Sequence, residues 1–139
     1  RVLYDLGVRT FIVEGEEAGG HVSRQGSLSA WQEVLHEIRK RRIQDGVHLV
    51  LAGGIYSESS ARLITYMLDF MGLADELPVS LQMGTAYLAT SEARALTPLS
   101  EHYQRLLLTT EATTVTGETL HRNVRQLTTP TIDELLDKE

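Results

Sequence analysis

The sequence predicts an α/β protein built on a parallel sheet, and three observations carry that reading. Short apolar runs at 10–14, 47–52 and 78–82 have the length and residue types of strands, and each runs into a glycine-bearing loop. Between them, apolar residues recur at spacings of three and four, the period of a helix. Strand and helix therefore alternate, as in βα units whose functional loops gather at the carboxyl ends of the strands.

Arg1-Val2-Leu3-Tyr4-Asp5-Leu6-Gly7 reads as the tail of a helix and its terminal glycine. Thr10, Phe11, Ile12 and Val13 form the first strand, which Glu14-Gly15 ends. The loop that follows, Glu17-Ala18-Gly19-Gly20-His21, is the most informative stretch of the chain. Two glycines let a backbone approach a flat ligand without a Cβ in the way. A histidine beside them is a group that can donate a hydrogen bond or move a proton near neutral pH. Leu28, Trp31, Val34, Leu35 and Ile38 then mark a helix, with Glu33, Glu37, Arg39 and Lys40 on its other faces. Its end, Arg39-Lys40-Arg41-Arg42, opposes the macrodipole and reads as a solvated helix end rather than a nucleic-acid patch.

The second strand, Val47-His48-Leu49-Val50-Leu51-Ala52, is continuously apolar apart from its histidine, as expected of a strand covered on both faces. Gly53 and Gly54 turn the chain, and Ser57, Ser59 or Ser60 is placed to cap the next helix. Ala61, Ile64, Met67, Leu68 and Met71 give that helix its apolar stripe, and Gly72 stops it. Pro78-Val79-Ser80-Leu81-Gln82-Met83 is the third strand, closing on Gly84-Thr85, and a further helix is expected around Ser91–Leu108. The pairs Gly53-Gly54 and Gly84-Thr85 read either as tight turns or as a shared cradle of backbone N–H groups for one phosphate.

Three strands in 139 residues fall short of a complete (β/α)₈ barrel, which takes roughly 250 residues. We therefore expect residues 1–139 to be the later, C-terminal part of a barrel within a longer chain, with a free-standing three-layer α/β domain as the alternative. A three-stranded sheet has two open edges and needs other segments to cover them. The net charge of −6 argues against a nucleic-acid partner, and no apolar stretch is long enough to span a bilayer. Without cysteine, disulfides, thiolate nucleophiles and cysteine-type zinc sites are excluded, which suits a cytoplasmic location.

Three motifs in order carry a family resemblance: Glu14-Gly15-Glu16-Glu17-Ala18-Gly19-Gly20-His21, Ala52-Gly53-Gly54-Ile55, and Leu81-Gln82-Met83-Gly84-Thr85-Ala86-Tyr87-Leu88-Ala89-Thr90. Together they resemble the nitronate monooxygenase (2-nitropropane dioxygenase-like) family of FMN-dependent TIM barrels, which includes flavin enoyl-acyl-carrier-protein reductases. The resemblance extends through Thr113–Gly117 and Arg122–Arg125, which look like the segment that wraps back after the last strand. The stretch from Gly19 to Ser23, with Ser27 to Trp31, looks closest to members embedded in polyketide or polyunsaturated-fatty-acid synthases. It departs from them at Ser23, where such relatives commonly have glycine and where a side chain is expected near the flavin or substrate.

The resemblance implies roles. His21 would be the catalytic group at the flavin's reactive edge, while Gly19 and Gly20 let the ring lie against the backbone. Gly53, Gly54, Gly84 and Thr85 would bind the FMN phosphate, and of Gln82 and Met83 one would face the cofactor and the other the barrel wall. The implied substrate is a small nitronate, oxidised with oxygen, or an acyl chain on a carrier protein, reduced at the expense of NAD(P)H. Other domains of a synthase are implied partners, and a non-catalytic scaffold module is the reading from another class.

The remaining polar residues read more plainly. His36 and His48 are packing or surface residues, and His102 and His121 have no constellation around them. Glu14, Glu16 and Glu17 superficially resemble a divalent-metal cluster, yet Glu17 reads better as orienting a backbone or His21 hydrogen bond, so no metal is expected. Ser27 and Ser29 lack a nucleophile-elbow pattern, and Tyr87 and Tyr103 are ordinary amphipathic positions. Residues 130–136 are left as a docking helix or a linker.

Overall fold

The glycine-terminated apolar runs do pair side by side. A computed structural model describes residues 2–43, 46–96, 100–117 and 122–136; Arg1 and His121 lie outside the described residues. Along the chain come α1 (Val2–Asp5), β1 (Thr10–Glu14), β2 (Gly20–His21), α2 (Ser27–Arg41), β3 (His48–Ala52), α3 (Glu58–Phe70) and β4 (Val79–Gln82). Then follow α4 (Thr85–Leu88), α5 (Ser91–Leu96), α6 (Glu101–Thr109), β5 (Thr113–Thr116), β6 (Val124–Leu127) and α7 (Pro130–Leu136).

One sheet is parallel, in the order β1-β3-β4. Its central strand is the continuously apolar one, with Leu49 and Leu51 wholly buried on one face, whereas His48 and Val50 on the other are half-buried, so the cover expected on both faces is complete on only one. The flanking strand β1 alternates between half-buried Phe11 and Val13 and exposed neighbours, and leaves Ile12 62% exposed. The helical stripes meet this sheet: Trp31, Leu35 and Ile38 of α2 and Ile64, Met67 and Leu68 of α3 join Leu49 and Leu51 in one core cluster. Trp31 is tied further, its Nε1 donating to the carbonyl of Ala52 at 3.2 Å, so α2 is pinned to the tip of β3.

The helix ends follow local chemistry. Ser57 and Ser60 form a reciprocal capping box at the start of α3, and the chain turns at Gly72 just past its end. Arg39, Lys40 and Arg41 occupy the last turn of α2 as expected, two of them paired with Glu37. Gly26, the residue before α2, offers no side-chain cap, and that vacancy is filled from elsewhere (below).

Two features differ from the sequence reading, and a third resolves an alternative it left open. The single helix expected over 91–108 is two, α5 and α6, and the second has its own start, where the Ser100 hydroxyl accepts from the N–H of Tyr103 at 3.1 Å. The wrapping segment is a second, antiparallel sheet in the order β2-β6-β5, in which Gly20 pairs with Arg125 and His21 with Val124. Residues 130–136 form a helix rather than an open linker. Among the described residues no helix is long and apolar enough to cross a membrane.

Candidate functional site

Parallel pairing sets the site's location. Glu14 lies opposite Ala52, and Ala52 opposite Gln82, so all three strands end at one level and release their loops on the same side. Those loops surround a cavity of about 930 Å³, within the range of small-molecule and cofactor sites. Its walls come from the β1 loop (Glu17 to Gly20), the β3 tip (Ala52 to Tyr56), the β4 tip (Gln82 to Ala86), and the C-terminal elements α6, β5 and β6.

Two of the glycines are required by packing at the root of this site. A Cβ on Gly15 or on Gly53 would collide with Ser27, the buried first residue of α2. Gly53 also holds φ +99°, a conformation that side-chain-bearing residues rarely adopt. The β1 tip, the β3 tip and the N-terminus of α2 thus close on one another because neither glycine carries a side chain. Gly54, next in line, packs against the Glu17 side chain, where an added Cβ would approach Glu17 Cβ to 3.2 Å.

The β1 loop is held by its own glutamates. Glu17 Oε2 accepts from the backbone N–H of Ser27 at 2.6 Å, supplying from ten residues upstream the cap that Gly26 lacks. Partial burial pushes the Glu17 carboxyl up, but hydrogen bonding from Ser27, aided by the charge of Arg125, outweighs it and leaves the group below the usual carboxylate range. The backbone N–H of Glu16 donates to the Gln25 carbonyl at 2.9 Å, which closes the loop on itself. Ser23 takes part in this turn: its hydroxyl donates to the Gln25 carbonyl at 2.9 Å and accepts from the Gln25 N–H at 3.2 Å. The Ser23 side chain, expected near the flavin or substrate, is committed to this local turn and does not line the cavity.

Of the residues singled out in the sequence, Gly19, Gly20, Gly53, Gly54, Gln82, Gly84 and Thr85 line the cavity together. Gln82 lies on the cavity, whereas Met83 does not line it and packs against the apolar core. Gly19 sits against Thr85, so close that a Cβ on Gly19 would lie 2.5 Å from the Thr85 hydroxyl. His21 also stands apart: it is exposed and does not line the cavity, although Gly20 before it does. Pairing of β2 with β6 explains this, because adjacent residues of a strand point to opposite sides. Of the other histidines, His48 is half-buried, its Nε2 2.8 Å from the Ser80 hydroxyl, and His36 and His102 are exposed.

The sequence reading missed the far wall. Tyr103 and Leu107 of α6, Thr113 of β5, and Val124, Arg125, Gln126 and Leu127 of β6 all line the cavity. Tyr103, taken for an ordinary amphipathic position, lines the cavity with Leu107 of the same helix and Leu88 of α4. The cavity lining accordingly mixes glycine backbone and polar side chains with the apolar side chains of Leu88, Tyr103, Leu107 and Leu127.

These residues fit a flavin nucleotide. A Cβ on Gly84 would meet no protein atom within 4 Å, so the backbone there is open at a point where Gln82, Thr85 and Gly54 also face the cavity. Bare backbone beside a hydroxyl is the donor set a phosphate monoester needs. Among the described residues, no group of three or more His, Asp or Glu side chains is placed to hold a metal ion.

No family model matches the chain, and no curated protein matches it. Among solved structures it is similar to FabK from Thermotoga maritima, with 22% identity and a TM-score of 0.74, over 99% of this chain and 38% of that one. A point mutant of the same FabK matches with 21% identity and a TM-score of 0.61, over 99% of this chain and 39% of that one. The likeness shows a shared fold, and this chain spans under two-fifths of FabK's length.

Proposed function

We propose that this chain is the phosphate-binding, later part of a (β/α)₈ barrel that works as an FMN-dependent oxidoreductase. The observation that supports it is the convergence of the glycine loops at 19–20, 53–54 and 84 on one cavity. In this reading Gly53, Gly54, Gly84 and Thr85 hold the phosphate, and Gly19, Gly20 and Gln82 border the ring. The flavin would supply the two-electron chemistry, and this chain supplies binding, orientation and a proton. His21, next in sequence to the cavity residue Gly20, is the proposed proton-transfer group. To act there, its ring must turn toward the cavity mouth from its exposed position on β2.

Two chemistries suit this frame. The motif set points to oxidation of alkyl nitronates with oxygen. The apolar side chains of Leu88, Tyr103, Leu107 and Leu127 in the cavity lining favour the second, reduction of an enoyl group on an acyl chain carried by a protein partner, because such a lining can shelter a hydrocarbon. Neighbouring synthase domains would then be the natural partners, in a cytoplasmic setting.

The test uses the full-length protein. Flavin absorbance in the purified protein, lost in Gly84→Asp, is the expected result, since a carboxylate repels phosphate in a site of low dielectric. A colourless full-length protein that takes up no added FMN would leave a scaffold module instead. Turnover of NAD(P)H with a short enoyl thioester identifies the reductase, and oxygen uptake with an alkyl nitronate and no nicotinamide identifies the monooxygenase. His21→Ala should lower kcat by about 10²–10⁴ while flavin stays bound.

A further inference from the structure

We propose that Arg125 is a positioning residue, which latches the C-terminal hairpin onto the β1 loop and so sets where Gly19, Gly20 and His21 stand. The two segments are 109 positions apart in sequence, yet the guanidinium joins them. Its Nε donates to the Glu16 carbonyl at 2.6 Å, its Nη2 reaches Glu16 Oε1 at 3.4 Å, and its Nη1 donates to the Thr113 hydroxyl at 2.6 Å. One planar fork thus engages the main chain and side chain of a single loop residue and the neighbouring strand β5. Only arginine has donors spread widely enough for that.

The backbone prepares this contact. Arg125 pairs with Gly20 on one side and with Val115 on the other, which places Thr113 diagonally across from it. The N–H of Val22 also donates to the Asn123 carbonyl at 2.9 Å. The short strand β2 has just two residues, too few to hold a register by pairing alone. Arg125 is 21% exposed along its side chain, so its bonds to Glu16 are partly withdrawn from water and stronger than at an open surface. Glu17, one residue on, is fixed to α2 instead. Adjacent glutamates therefore anchor the loop to two different bodies, the sheet core through Glu17 and the hairpin through Glu16.

The consequence for function rests on the flavin reading, but the latch itself does not. Loosening Arg125 should free the loop and leave the glycines on β3 and β4 untouched. The decisive experiment is hydrogen exchange on the full-length protein without added FMN, comparing wild type, Arg125→Ala and Arg125→Lys. Exchange across 16–22 should rise about tenfold or more in Arg125→Ala, a shift of roughly 1.4 kcal/mol. Exchange across 48–52 should stay unchanged. Arg125→Lys, with one compact ammonium, should fall between the two. Unchanged exchange at 16–22 overturns the latch, and so does an equal rise at 48–52, which would make Arg125 a general support of the fold. A second readout follows on the flavin-loaded protein: because Gly19 and Gly20 border the ring in this reading, kcat should fall more than tenfold in R125A and the FMN Kd should rise with it, R125K partly restoring both. Unchanged kcat and FMN Kd beside raised exchange at 16–22 would overturn the positioning role. A wild type that binds no FMN defeats the oxidoreductase proposal alone and leaves the exchange comparison standing.

Discussion

The strand-and-helix region from β1 to β4 and the C-terminal region from α5 onward are held together by different forces. Every buried apolar residue among those described lies between Ala18 and Leu77. Helices α5 and α6 bury nothing fully, and strands β5 and β6 are at best half-buried. What holds the second region is polar: Thr114 with Thr128 at 2.8 Å, Gln126 with Thr116 at 2.9 Å, Gln104 with the carbonyls of Leu88 and Thr90, and Arg125 with Glu16 and Thr113. Such bonds contribute about 1 kcal/mol each, whereas a buried leucine contributes about two to three times that. The lesson is a division of labour. An apolar body carries the glycine tips, and a hairpin held by polar bonds, those of Arg125 among them, lines the cavity beside it.

That contrast can be broken by stability measurements. The largest loss is expected for Leu49→Ala, wholly buried at the centre of the sheet, at about 2–5 kcal/mol in a denaturant titration. A cost below about 1 kcal/mol would show that the parallel region is not held by its apolar core. Gly53→Ala comes next, at about 2–4 kcal/mol, because the new Cβ meets buried Ser27 and the backbone must keep φ +99°. If Gly53→Ala binds flavin poorly yet melts like wild type, the glycine serves the ligand and not the packing.

The smallest effect sharpens the picture at the junction. Glu17→Gln should cost about 0.5–1 kcal/mol at neutral pH, since an exposed carboxylate caps α2. The folded carboxyl titrates below its unfolded value, so its contribution is complete above the ordinary carboxylate range and fades as pH falls through the lowered value. The melting difference between wild type and Glu17→Gln should accordingly shrink below about pH 4. A difference that persists unchanged in acid would mean the charge is not what matters at this cap.

Legibility followed the strength of the local signal. The runs of β1, β3 and β4 were readable because apolar and β-branched residues with a glycine stop leave few alternatives to a strand. The helices α2 and α3 were readable from their stripes, and the cap of α3 only as one of Ser57, Ser59 and Ser60. The antiparallel hairpin was not, because threonine, arginine and glutamine in β5 and β6 carry no alternation strong enough to mark a strand. The split of the helix expected over 91–108 was missed because its apolar period runs on across both pieces. Met83 and Gln82 were separable only as a pair, since alternation says that they diverge but not which one faces the cavity.

Sequence by itself determined the βα order, the buried central strand and the set of glycines at the strand tips, because each depends on residues close together in the chain. Tertiary structure alone decided that Gly15 and Gly53 meet over Ser27, that Glu17 caps a helix ten residues away, and that Arg125 closes onto Glu16. It also decided that His21 stands outside the cavity its neighbour Gly20 lines. Those outcomes depend on which distant backbone a loop happens to pair with, and no local pattern of side chains encodes the partner.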